Sequence, residues 1–206
     1  MAEIEHPQIY LITPSEIELS RFPDTLARVL DTADVACLRL ALSSRDEDHI
    51  LRTADALRQQ THDRDIAIVI ETHLLLVERL GLDGVHLTDG ARSVRAAREA
   101  LGEDAIVGTF AHTSRHDGMT AGEAGADYVS FGPLDAGALG DGQVADPDLF
   151  TWWSEMIEVP IVAEGGLTEE HIRALSPHTD FFGIGEELWR SDDPAQTLDT
   201  FVKAMK

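Results

Sequence analysis

Short runs of apolar and β-branched residues alternate with segments of helical periodicity eight times over, from residue 8 almost to the end of the 206-residue chain. The first run covers residues 8–13, and Pro14 and Ser15 then open a helical stretch that carries Leu26, Val29 and Leu30. Runs at 35–42, 66–70, 84–87, 106–110, 128–131, 161–163 and 181–184 predict strands two to eight. Helices are predicted over 46–61, 73–80, 93–101 and 114–124, then through Leu149 and Trp153, and after the N-cap Thr168 through Ile172 and Leu175. Pro194 starts a last helix, where Leu198, Phe201, Val202 and Met205 recur at helical spacing.

Strands this continuously apolar are buried on both faces, which implies a parallel sheet covered by helices. An open doubly wound sheet would stop at fewer strands and show a Gly-rich turn after the first, whereas this strand ends in Thr13-Pro14-Ser15. The pattern predicts an α/β fold, a single (β/α)8 TIM barrel spanning residues 1–206.

Charge narrows the partners. The chain has 16 Lys and Arg against 38 Asp and Glu, a formal net charge of −22, spread along its length. Such a surface repels nucleic acid and anionic membrane. Both lysines, Lys203 and Lys206, lie in the last helix, which removes lysine Schiff-base chemistry from the middle of the barrel. A lone Cys37 excludes an internal disulfide, the first seven residues have no apolar signal core, and no run reaches membrane-spanning length. A cytoplasmic protein is expected, with self-association into a homo-oligomer left open.

In barrels the carboxyl ends of the strands and their following loops build the site. The polar residues placed there are Arg39, Glu71, His73, His86, Asp89 and His112, with Gly132–Pro133, Glu164–Gly166 and Gly185–Glu187 after strands six to eight. Gly165, Gly166 and Gly185 can present bare backbone N–H groups to an anion. Arg39 sits on an apolar strand and needs either an ion pair, with Glu71 the neighbour on the next strand, or an anionic ligand. His112 reads as a general acid–base or as a hydrogen-bonded loop residue, and His86 as structural or ligand-binding. Glu71, His86, Asp89 and His112 could also converge on a metal.

Four segments carry a resemblance: Ile9-Tyr10-Leu11-Ile12-Thr13, Asp83-Gly84-Val85-His86-Leu87, Gly125-Ala126-Asp127-Tyr128-Val129-x-Phe131-Gly132-Pro133 and Pro160-Ile161-Val162-Ala163-x-Gly165-Gly166. In this order they resemble thiamine phosphate synthase and its sister, the thiazole tautomerase. The resemblance implies a barrel that joins a pyrimidine diphosphate to a thiazole phosphate with Mg²⁺, releasing pyrophosphate. The ligand it implies is a small phosphorylated heterocycle. The departures are specific. Of the family's Gln-x-Arg-x-Lys run, Cys37–Ala41 keeps only Arg39; the family's Asn-Asp aligns with Glu71-Thr72; and its Gln-x-Asp becomes Thr88-Asp89-Gly90-Ala91, leaving Asp89 and Glu71 as replacement metal ligands. Phe110 replaces a serine, the loop 134–146 carries no cation, and Glu186 stands where the family's phosphate meets backbone amides. Like charges in contact cost about 1 kcal/mol in water and about 4 kcal/mol at an effective dielectric of 20. Three readings follow: a divergent synthase-like protein of thiamine biosynthesis, a tautomerase-like proton transfer through His112, and a non-catalytic binding barrel in which Trp152-Trp153 could meet a partner.

Overall fold

The computed structural model describes residues 7–137 and 142–206. The polar amino terminus and residues 138–141 of the cation-free loop lie outside the described residues. Eight strands close into one parallel barrel in sequence order: β1 Gln8–Ile12, β2 Val35–Leu40, β3 Ala67–Glu71, β4 Gly84–Leu87, β5 Ile106–Phe110, β6 Tyr128–Phe131, β7 Ile161–Glu164 and β8 Phe181–Ile184. Helices α1 Phe22–Leu30, α2 Glu47–His62, α3 Leu76–Leu80, α4 Val94–Leu101, α5 Arg115–Glu123, α6 Pro147–Met156, α7 Glu169–Leu175, α8 Glu186–Trp189 and α9 Pro194–Ala204 surround it. Among the described residues no helix is long and apolar enough to cross a membrane.

Two helix starts and one added helix differ most from the sequence expectation. Helix α1 starts at Phe22, well after Pro14 and Ser15. Helix α3 starts at Leu76 because residues after β3 form a tight turn: Thr72 takes φ 62°, and the amides of His73 and Leu74 bond Glu71 O and Thr72 O at 2.8 and 2.9 Å. The short α8, unforeseen, follows β8 directly. Thr168 caps α7 as predicted, accepting the His171 amide at 3.2 Å.

The pleat sorts side chains two ways. Leu11, Leu38, Ile68, Val85, Val129 and Phe182 point out into the main core under the helices, while Tyr10, Cys37, Val69, Tyr128 and Val162 form a separate cluster filling the lumen. Both faces are dry, which is why the strands look uniformly apolar. Lumen packing needs a glycine on β5, since a Cβ at Gly108 would lie 1.9 Å from Tyr128 Cζ. Burial pushes the Cys37 thiol up to about 12, so it is an inert filler. Trp153 is buried with Nε1 donating to Val159 O at 2.8 Å, and half-buried Trp152 carries Arg115 over its ring at 4.8 Å.

Candidate active site

Arg39 comes off β2 into the upper lumen, only 5% exposed. Every guanidinium nitrogen meets a protein group. Nη2 lies 2.9 Å from Glu164 Oε2, Nε lies 3.5 Å from Glu71 Oε2, and Nη1 lies 2.6 Å from His86 Nε2. Burial works against the guanidinium charge, but Glu164, then Tyr10 and Glu71, outweigh it and raise its pKa. The pairing is close yet imperfectly aligned: Arg39 Nε and Glu164 Oε2 are buried without a well-directed hydrogen bond. Ser130 Oγ donates to the other carboxylate oxygen of Glu164 at 3.3 Å.

Arginine can only donate, which assigns the His86 tautomer. Nε2 accepts from Arg39, so Nδ1 carries the proton and donates to Tyr128 Oη at 2.9 Å. Tyr128 Oη and Tyr10 Oη share a further hydrogen bond of 2.6 Å. Burial, then Arg39, hold the His86 pKa well below its ordinary range, so the ring is neutral. This chain of four residues from β2, β4, β6 and β1 is the floor of the site. His86 is fully buried in it and does not line the cavity above.

That cavity, about 360 Å³, opens at the carboxyl end of the strands. Arg39 forms its inner end, Gly165, Gly166 and Gly185 one wall, and Asp135, Glu186, Glu187 and Arg190 its rim. Gly165 and Gly166 take φ 90° and 74°, a backbone course that favours glycine. A larger groove of about 750 Å³ lies at the opposite end, by Pro7, Glu158 and Asp180, the face that serves stability in barrels.

The predicted site residues part company here. Arg39, Gly165, Gly166 and Gly185 gather on the one cavity, and Glu71 reaches it through Arg39. His112 does not line it. Strand β5 ends at Phe110, and His112 takes φ 55°, which breaks the alternation that would have aimed it inward; it is exposed, with its ring against Phe110 at 4.4 Å between centroids. Asp89 is exposed and accepts from Ser93 Oγ at 2.6 Å. Among the described residues no three His, Cys, Asp or Glu side chains converge as metal ligands, so Glu71 and Asp89 are not assembled into such a group. Burial raises the Glu71 pKa, with Arg39 opposing and Glu164 adding.

Two carboxylates that the sequence places at the strand ends take specific partners in the structure. Glu164 supplies the strongest partner of Arg39, and a carboxylate ending an apolar strand just before Gly165 was the signal for it. Glu186, expected to face a phosphate, instead pairs outward with Arg190 Nε at 2.9 Å. Its neighbour Glu187 turns back to the Gly185 amide.

Comparison with known proteins decides the family. The family profile described as thiamine monophosphate synthase matches residues 9–182. The chain belongs to the thiamine monophosphate synthase family. Within that family, the thiamine-phosphate synthase of Rhodospirillum centenum is 41% identical over 202 residues, covering 97% of this chain and 98% of its own. The thiamine-phosphate synthase of Erythrobacter litoralis is 37% identical, covering 95% and 94%. Among solved structures, thiamine phosphate pyrophosphorylase from Pyrococcus furiosus superposes with a TM-score of 0.81 at 19% identity, over 96% of this chain and 95% of that one, a likeness of fold.

Proposed function

We propose that the chain is a divergent family member that serves thiamine biosynthesis by binding a small heterocycle at the barrel mouth, without the diphosphate displacement of the synthases. Family and fold together support the pathway. The observation that carries the departure is the state of Arg39. A leaving diphosphate must be met by cations as its charge develops. Here the lumen guanidinium already faces Glu164, Glu71 and His86, and the other cation lining the cavity, Arg190, faces Glu186. Among the described residues, five carboxylates, those of Glu71, Asp135, Glu164, Glu186 and Glu187, meet two guanidinium groups across the cavity and the Arg39 cluster.

Arg39 in this reading is a positioning residue: it holds Glu164 and His86 in place and offers its Nε to an acceptor on the ligand. Neutral His86 and the two tyrosines keep the floor rigid and dry. Gly165 and Gly166 let the backbone approach the bound ring closely. His112, off the cavity, has no part in binding.

The test is a pyrophosphate-release assay on purified protein with hydroxymethylpyrimidine diphosphate, thiazole phosphate and Mg²⁺. Release at the background rate is expected. Mg²⁺-dependent turnover with thiamine phosphate as product overturns the reading.

A further inference from the structure

Helix α6 buries Leu149, Phe150 and Trp153 against the barrel and leaves a second stripe outside. Asp148, Trp152, Glu155 and Met156 recur along that stripe at i, i+3 and i+4 spacing. Met156 is 64% exposed, which is unusual for so large an apolar side chain in this structure. Trp152 is half-buried, and Arg115, which opens α5, sets its guanidinium 4.8 Å from the indole centroid. The same arginine donates through Nη2 to Asp148 O at 3.0 Å, which ties it to the amino end of α6. One face thus gathers a tryptophan, a methionine and an arginine, the residue types in which the cores of protein interfaces are enriched.

The charges on this face are incomplete. Arg115 and Glu155 are both exposed, and among the described residues neither meets an opposite charge, although the chain carries 38 carboxylates and 16 cations. Arg115 stands at the amino end of α6 and Glu155 at the carboxyl end. A two-fold axis that lays α6 antiparallel on a second α6 therefore brings each Arg115 to the partner's Glu155 and each Met156 thioether to the partner's Trp152. We propose that the outer face of α6, together with Arg115, is an isologous interface that pairs this chain with a second copy of itself. None of these residues lines the mouth cavity, so the pairing stands independently of what the mouth binds.

The experiment is sedimentation velocity of the full chain from micromolar to submillimolar concentration. Physiological salt is used, where a Debye length of about 8 Å screens the mutual repulsion of two chains of net charge −22. Wild type is expected to form a dimer that dissociates in the micromolar range. Met156→Glu, at a site the core does not use, is expected to raise the dissociation constant at least about tenfold. Arg115→Glu sets like charges against each other across the axis and is expected to do the same. Adding Glu155→Arg to Arg115→Glu reverses both partners and is expected to bring the constant back to within about threefold of wild type, a recovery that a misfolded variant would not show. A wild type that stays monomeric throughout overturns the proposal. So does a dimer indifferent to both single changes, which would place the contact elsewhere, and so does a double reversal that recovers nothing.

Discussion

Arg39 shows what one residue on an apolar strand commits the rest of a barrel to. Its charge is buried, so removing it strands Glu164, which is also buried, with no compensating cation. Arg39→Met is therefore expected to cost about 3–5 kcal/mol in urea unfolding, and adding Glu164→Gln should recover part of that loss. A cost below about 1 kcal/mol for the single change would contradict the buried pair. His86 gives a pH signature. Its folded pKa lies well below the ordinary 6.5, so the neutral ring contributes stability that is full above 6.5 and is lost as pH falls from there toward the folded value. Over that window the unfolded chain binds the extra proton, and stability should fall by about 1 kcal/mol between pH 6.5 and 5.5 from this group, the slope approaching about 1.4 kcal/mol per pH unit below that. Comparing His86→Gln with wild type between pH 6.5 and 5.5 isolates it; identical slopes would mean that the ring is charged in the fold. The need for a partner at Arg39 was legible in the sequence, and Glu71 was a fair guess from the adjacent strand. Glu164 was not, because β2 and β7 are far apart in the barrel order and only the lumen brings them together.

At the scale of elements, period and punctuation were readable and orientation was not. Each strand was visible as a β-rich run, and the cap at Thr168 was visible as a residue type in the right place. Thr168→Ala should lose about 1 kcal/mol by thermal or urea unfolding, and a neutral result would deny that the cap holds α7. The inward and outward sets could not be separated, since both faces of a closed parallel sheet are apolar. Tyr10 and Tyr128, 118 residues apart, meet only through closure, and Gly108 exists to admit the second ring. Gly108→Ala forces a methyl into Tyr128 and should cost about 1–3 kcal/mol; an unchanged midpoint would show that the lumen repacks freely. His112 read either as an acid–base or as a hydrogen-bonded loop residue; its carbonyl accepts the Gly132 amide at 3.0 Å, and φ 55° leaves its ring exposed beside Phe110, an orientation that residue type and spacing do not encode.

For the whole molecule, the surplus of carboxylates seen in the sequence reaches into the mouth of the barrel itself. A net charge of −22 predicts an acidic exterior, yet an enzyme that handles diphosphate would keep its mouth positive against that background. Here the lumen cation is paired with two carboxylates and hydrogen-bonded to neutral His86, and the rim is acidic. The direct test is calorimetric titration of the wild-type protein with inorganic pyrophosphate and Mg²⁺ at low ionic strength, where electrostatic attraction is least screened. The account predicts no heat of binding up to millimolar pyrophosphate; saturable, Mg²⁺-dependent binding in the micromolar range would contradict it.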